Sequence, residues 1–159
     1  MIYLRLDERL MHGQVTTTWI SYLGITHIVI ADDKVVNDAI HCQLLKMSAP
    51  NGVKMLIQDI DKAITTLNDE RCEKMKILVI CSNLDAVLKI IENCKSIKDV
   101  NLANYGFQSN MHSELKDMLT SNLSVDEREK EIVKKIMANK DLDVYCQVLA
   151  NQPRKAINL

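Results

Sequence analysis

Ile2-Tyr-Leu-Arg-Leu-Asp-Glu-Arg-Leu-Met-His-Gly-Gln-Val15 is the stretch from which the rest of the chain is read. Its apolar run, Ile2 to Leu6, predicts a strand. A helical pattern follows from about Gly13 to Leu23, and between them lies a short loop holding Asp7, Arg9 and His12. That order sets an imidazole at the carboxyl end of a strand and at the mouth of a helix. In open α/β sheets ligands bind at this edge. Unpaired N–H groups and the positive dipole end at a helix start favour an anion. A histidine close to arginines at such a place could accept a phosphoryl group.

Outward from this unit, strand-like runs keep alternating with helical patterns. Strands are predicted at 2–6, 26–31, 53–57, 76–81, 98–102, 118–123 and 142–148, and helices at 13–23, 34–47, 60–68, 83–94 and 125–138. Such alternation gives a mostly parallel sheet covered on both faces. Ile77-Leu-Val-Ile80 is apolar throughout, as burial on both faces requires. No helix separates the fifth strand from the sixth, which predicts an antiparallel edge. The fold class is therefore α/β: a single-domain, open, mostly parallel twisted sheet of about seven strands, with helices on both faces. One domain spans residues 1–159.

Capping residues agree with these elements. Asp32 or Asp33 suits the start of the second helix, Asp59 the third, Ser82 to Asp85 the fourth, and Ser124-Val-Asp-Glu127 reads as a capping box before the fifth. In the second helix Val36, Ile40, Leu44 and Met47 fall on one face and are expected in the core. Leu84, Val87, Leu88 and Ile91 make the equivalent stripe of the fourth. The span Asn104–Asp117 is the least regular and reads as a long loop near the site.

Composition narrows the function classes. A formal net charge of −1 provides no basic field to recruit nucleic acid. No run approaches the ~20 apolar residues of a membrane-spanning helix. The start of the chain lacks the charged and small-residue pattern of a signal peptide. Five cysteines, an odd number without C-x-x-C spacing, read as reduced thiols of a cytosolic protein.

His12 is the central candidate, with a structural or solvated loop histidine as the alternative. A carrier must be neutral near pH 7, and imidazole, with an ordinary pKa of about 6.5, suits. Arg9 and the backbone N–H groups around Gly13 and Gln14 are placed to neutralise a phosphoryl group in flight. Gly13 permits close backbone approach. Strand parity puts Arg5 with Tyr3, opposite Ile2, Leu4 and Leu6, where it either reaches the site or pairs with Asp7. Asp7 is read as support for the loop or for the imidazole. Asp32 and Asp33 are either caps or a weak receiver-like acidic pair that would call for Mg2+. Cys81 is read as a buried thiol, and Ser82 as a possible wall of the site. His27, His41 and His112 share no ligand spacing, so no metal or cofactor is expected.

Arg5-Leu-Asp-Glu-Arg9-Leu-Met-His12-Gly-Gln-Val15 resembles the signature R-[IL]-D-[DE]-R-L-[IM]-H-G-Q-V of the IIB component of the mannose/fructose/sorbose family of the sugar phosphotransferase system. Ile30-Ala-Asp-Asp33 with Asn37-Asp38, Ala49-Pro-Asn-Gly-Val53, Lys76-Ile-Leu-Val-Ile80 and Val100-Asn-Leu102 also fit. The resemblance reaches the strand near Val144 and fades over the last dozen residues. It implies that His12 accepts a phosphoryl group at Nδ1 from a phosphohistidine of a IIA protein. The group then passes to a sugar held by membrane IIC/IID components. It implies a cytoplasmic protein associating peripherally with the permease, and is compatible with a homo-oligomer. The chain departs from the family at Asn101-Leu-Ala-Asn-Tyr105, where Asn-Val-Gly-Gly-Met is usual, which leaves the loop through Gly106 unassigned. The rival reading is a regulatory or small-ligand-binding α/β module that keeps the fold without sugar phosphorylation.

Overall fold

The computed structural model describes residues 1–108 and 116–159; the side chains of Gln14 and Val15, and His112, lie outside the described residues. The apolar runs become strands β1 (Ile2–Leu6), β2 (His27–Ala31), β3 (Lys54–Gln58), β4 (Ile77–Cys81) and β5 (Ile97–Leu102), followed by β6 (Asp117–Thr120), β7 (Leu123–Val125) and β8 (Asp143–Tyr145). Between them run α1 (Gly13–Leu23), α2 (Ala39–Met47), α3 (Ile60–Leu67), α4 (Leu84–Asn93) and α5 (Glu127–Ala138). Six strands form one sheet in the order β3-β2-β4-β1-β5-β8, and every neighbouring pair is parallel. β1 sits between β4 and β5, with Leu4 opposite Val79 on one side and Val100 on the other. The carboxyl ends of these three central strands therefore meet, and the site is built there.

Strand parity divides the core in two. Leu4, Leu6, Val29, Val79 and Cys81 face α3, α4 and α5, packing on Ala63, Val87, Ile90 and Val133. Ile28, Ile30, Leu78 and Ile80 face the other way, onto Ile20 of α1 and Leu45 of α2. At ~25 cal/mol per Å2 of apolar surface removed from water, two such layers are the main force holding the sheet.

The antiparallel element differs from the expectation. The run 118–123 does not join the sheet but turns back at Ser121-Asn122, and β6 pairs with β7 as a separate hairpin. The Thr120 hydroxyl accepts the Asn122 amide at 3.1 Å and fixes that turn. The sheet edge is instead β8, parallel to β5.

The second helix is also shorter than expected. A 3₁₀ turn occupies Val35–Asn37, and the chain is extended at Asp38, whose carboxylate accepts the His41 amide and starts α2 afresh. The break changes the helical phase. Leu45 is buried, while Ile40, Leu44 and Met47, expected in the core, are 75%, 60% and 75% exposed. The stripe on α4 does pack inward through Leu84, Val87 and Ile91, with Leu88 at its margin.

Caps shift by a residue or two. Asp32 accepts the Lys34 and Val35 amides and so caps the 3₁₀ turn. Asp33 reaches across to the Ile60 amide at the start of α3, which Asp59 caps. Asn83 caps α4, and the box before α5 is Asp126 with Glu129 rather than Ser124 with Glu127.

Candidate functional site

The loop from β1 to α1 is nailed down at both ends. The Asp7 amide donates to the Cys81 carbonyl, and the Leu10 amide closes a turn on the Asp7 carbonyl, both at 2.9 Å. Leu10 takes a positive φ of 56°, a rare state for a branched side chain. Its burial with Met11 in the α1/α2 layer offsets that cost. The two apolar plugs hold the backbone so that His12 emerges at the start of α1.

His12 is the N-cap residue of α1, with extended backbone and no side-chain cap on the helix. The first turn of α1 carries no acidic residue. The helix end therefore keeps its positive dipole and amides uncompensated by an acidic side chain. The His12 side chain is 25% exposed, and Nε2 lies 3.3 Å from both carboxylate oxygens of Asp7. Nδ1 has no partner among the described residues. Gly13 has a φ of 45° and open space where a Cβ would project.

Asp7 is 1% exposed and acts as the hub of the site. Besides His12 it accepts the Arg9 amide at 3.2 Å, the Arg5 guanidinium at 3.2 Å and the Asn104 side-chain amide at 2.9 Å. A buried carboxylate needs such donors to stay ionised without large cost. Arg5 is buried as well, and burial lowers its pKa while Asp7 opposes that shift. It donates to the carbonyls of Gln147 and Val148 at 3.0 and 3.4 Å, and lies 5.4 Å from the centre of the Trp19 ring. Trp19 donates to the same Val148 carbonyl. Arg5 is thus turned into the fold and pairs with Asp7, the second of its two expected fates.

Arg9 points outward and its guanidinium makes no hydrogen bond or ion pair among the described residues. It lines a cleft of about 730 Å3 together with Glu8, Asp32, His41, Ser82, Asn83 and Tyr105. The structure therefore brings Arg9 and Ser82 to one cleft, with His12 on the neighbouring part of the same loop and outside the cleft lining. Ser82 donates its hydroxyl to Asp32. Asp32 and Asp33 are both spent on backbone amides, as capping predicts. Cys81 is fully buried, and burial pushes its thiol far above the ordinary range, which removes the thiolate a cysteine carrier would need. His27 bonds the Thr26 hydroxyl, away from the site.

Three residues of the site were not singled out by their sequence context. Glu8 accepts the amides of Gly106 and Phe107, each at 3.0 Å, and so clamps the segment after β5 to the loop. Asn104 returns the connection by accepting the Glu8 amide at 3.1 Å. Gln147 exchanges two hydrogen bonds with Asn101, at 2.8 and 2.9 Å. The departure from the family pattern at Asn101-Leu-Ala-Asn-Tyr105 was the available signal for Asn104. Nothing local marked Gln147.

Residues 1–157 match the family model described as PTS system sorbose subfamily IIB component. A probable phosphotransferase enzyme IIB component from Streptococcus pyogenes is 31% identical over 151 residues, covering 95% of this chain and 93% of that protein. The chain is similar in fold to the IIBSor domain of the sorbose permease from Klebsiella pneumoniae, with a TM-score of 0.85 at 25% identity over 97% of this chain and 91% of that one. It is also similar to the N-acetylgalactosamine-specific IIB component 1 from Escherichia coli, with a TM-score of 0.83 at 30% identity over 99% of each chain.

Proposed function

Because the chain belongs to the sorbose-subfamily IIB family of the phosphotransferase system and is a phosphotransferase component, we propose that His12 is its phosphoryl carrier. The observation that carries this reading is the asymmetric ring: Nε2 faces the Asp7 carboxylate while Nδ1 has no partner among the described residues. A hydrogen on Nε2, donated to Asp7, leaves the lone pair on Nδ1. Nδ1 then attacks the phosphorus of a phosphohistidine on a IIA protein; the donor's N–P bond breaks as the new one forms. The donor imidazole leaves with the electron pair. Asp7 stabilises the positive charge that the His12 ring gains. In the second transfer a sugar hydroxyl attacks the phosphorus, the Nδ1–P bond breaks and the hydroxyl proton passes to solvent; His12 leaves neutral, its Nε2 hydrogen retained and still donated to Asp7.

The transition state spreads negative charge over the phosphoryl oxygens, and catalysis consists mostly of positioning and charge stabilisation. Arg9 supplies a planar fork of donors. The amides at the start of α1 supply fixed dipoles. Gly13 keeps the approach clear. Asp7 and Arg5 orient the imidazole, and Ser82 lines the approach. The sugar is held by membrane IIC/IID components, with this protein cytoplasmic and docking at the membrane from that side.

Incubation with a phosphorylated IIA protein tests the reading. One phosphoryl group should be gained, stable in base and lost in acid, as for a phosphohistidine. His12→Ala should abolish labelling. Normal labelling of that variant would refute the assignment.

A further inference from the structure

Asn104 follows β5 and is 8% exposed, with a positive φ of 51°. Only glycine and, less readily, asparagine and aspartate take up this backbone state at little cost. Glycine would satisfy the backbone equally well. What the asparagine adds is one N–H donor, and that donor makes the shortest hydrogen bond received by Asp7, 2.9 Å against 3.2 Å from Arg5, 3.2 Å from the Arg9 amide and 3.3 Å from His12. It binds Oδ2, which Arg5 and His12 also share, whereas Oδ1 is fixed by the Arg9 amide. The carboxylate is thus held at both oxygens by groups other than His12.

We propose that Asn104 is a positioning residue for His12, acting through Asp7. Three fixed donors, the Asn104 amide at the shortest distance, together hold the carboxylate so that it offers both oxygens to Nε2 in one plane. That selects the Nε2–H tautomer and keeps Nδ1 free. Without the amide, Oδ2 keeps Arg5 alone as a fixed donor. The carboxylate then swings toward the guanidinium, and the imidazole loses its bifurcated acceptor. The proposal rests on His12 as the carrier, but its structural half does not need transfer to be observed.

The test is Asn104→Gly, which suits the positive φ and removes only the donor, alongside Asn104→Asp, which replaces the donor with an acceptor. Nitrogen-15 NMR of the His12 ring in the unphosphorylated protein reports the tautomer. The parent should show Nε2–H; both variants should show mixed tautomers, the aspartate more so. Phosphoryl acceptance from phospho-IIA should slow roughly tenfold in Asn104→Gly, as misplacement of a reacting group predicts. Ile136→Val, a buried change remote from His12, controls for lost stability and should alter neither readout. An unchanged His12 tautomer in folded Asn104→Gly overturns the proposal. If the tautomer shifts but His12→Ala still accepts phosphate, the positioning role stands and the carrier reading falls.

Discussion

Two arginines four residues apart have opposite fates, and strand parity is the cause. Arg5 lies inside β1, so its side chain must enter a buried layer, where Asp7, Trp19 and two carbonyls receive it. Arg9 lies past the strand end, in a loop whose apolar plugs are Leu10 and Met11, and it stays in solvent beside the cleft. A transferring phosphoryl group needs a cation that is not already paired, and the Arg9 guanidinium has no partner among the described residues. Arg9→Ala should slow phosphoryl transfer to His12 by roughly 100-fold, the usual loss for one preorganised donor. Arg9→Lys should recover only part, since a point charge lacks the bidentate fork. Thermal midpoints of both variants should stay near the parent's, because exposed substitutions usually cost less than ~0.5 kcal/mol. Unaltered single-turnover kinetics in Arg9→Ala would exclude it from the site. The sequence already displayed His12, Arg9 and Asp7 through their order after an apolar run. The bond from Asn104 was hidden, because it depends on two strand ends meeting across a parallel sheet.

At the scale of elements, β1, α1, β4 and α4 are legible because burial on both faces demands apolar runs and helix starts demand caps. α2 departs from its helical spacing for a physical reason. Val36, Ile40, Leu44 and Met47 obey helical spacing only if one helix runs through Asp38, and Asp38 instead caps a new helix. Periodicity locates an apolar stripe but not the partner it faces. The expected consequence is an inverted mutational pattern on α2. Ile40→Gln and Leu44→Gln should each change stability by no more than ~0.5 kcal/mol. Leu45→Ala, at 4% exposure, should cost about 2–5 kcal/mol. Urea denaturation of the three variants checks this; a larger loss at Ile40 than at Leu45 would contradict the helical phase described. The hairpin was illegible in a similar way, since a polar turn inside an apolar run reads as strand.

On the scale of the whole molecule, the site draws on both extremes of the chain. Arg5 reaches the Gln147 carbonyl across 142 residues, and Trp19 reaches Val148 across 129. No local pattern can announce such pairings, which is why the segment after β8 read only as the end of a strand. Arg5→Met keeps the volume but strips Asp7 of a charge partner and leaves two carbonyls without their donor. It should destabilise by about 3–5 kcal/mol, the cost of breaking a buried ion pair from one side. The loss would be read from the shift in urea midpoint, and a midpoint unchanged from the parent's would mean that Arg5 carries no net stability.

The same long reach has a consequence for biosynthesis. During translation Arg5 is made 142 residues before the Gln147 carbonyl that receives it. Contacts so distant in sequence form late, after the loop-closure entropy has been spent on the rest of the sheet. A nascent chain halted before Gln147 holds its ligand-poor guanidinium beside a carboxylate with no final geometry. A chain in which Gln147 and Val148 are not yet in place therefore lacks the carbonyls that fix Arg5, and the Asp7 carboxylate beside His12 gains its full set of partners only when the two distant segments meet.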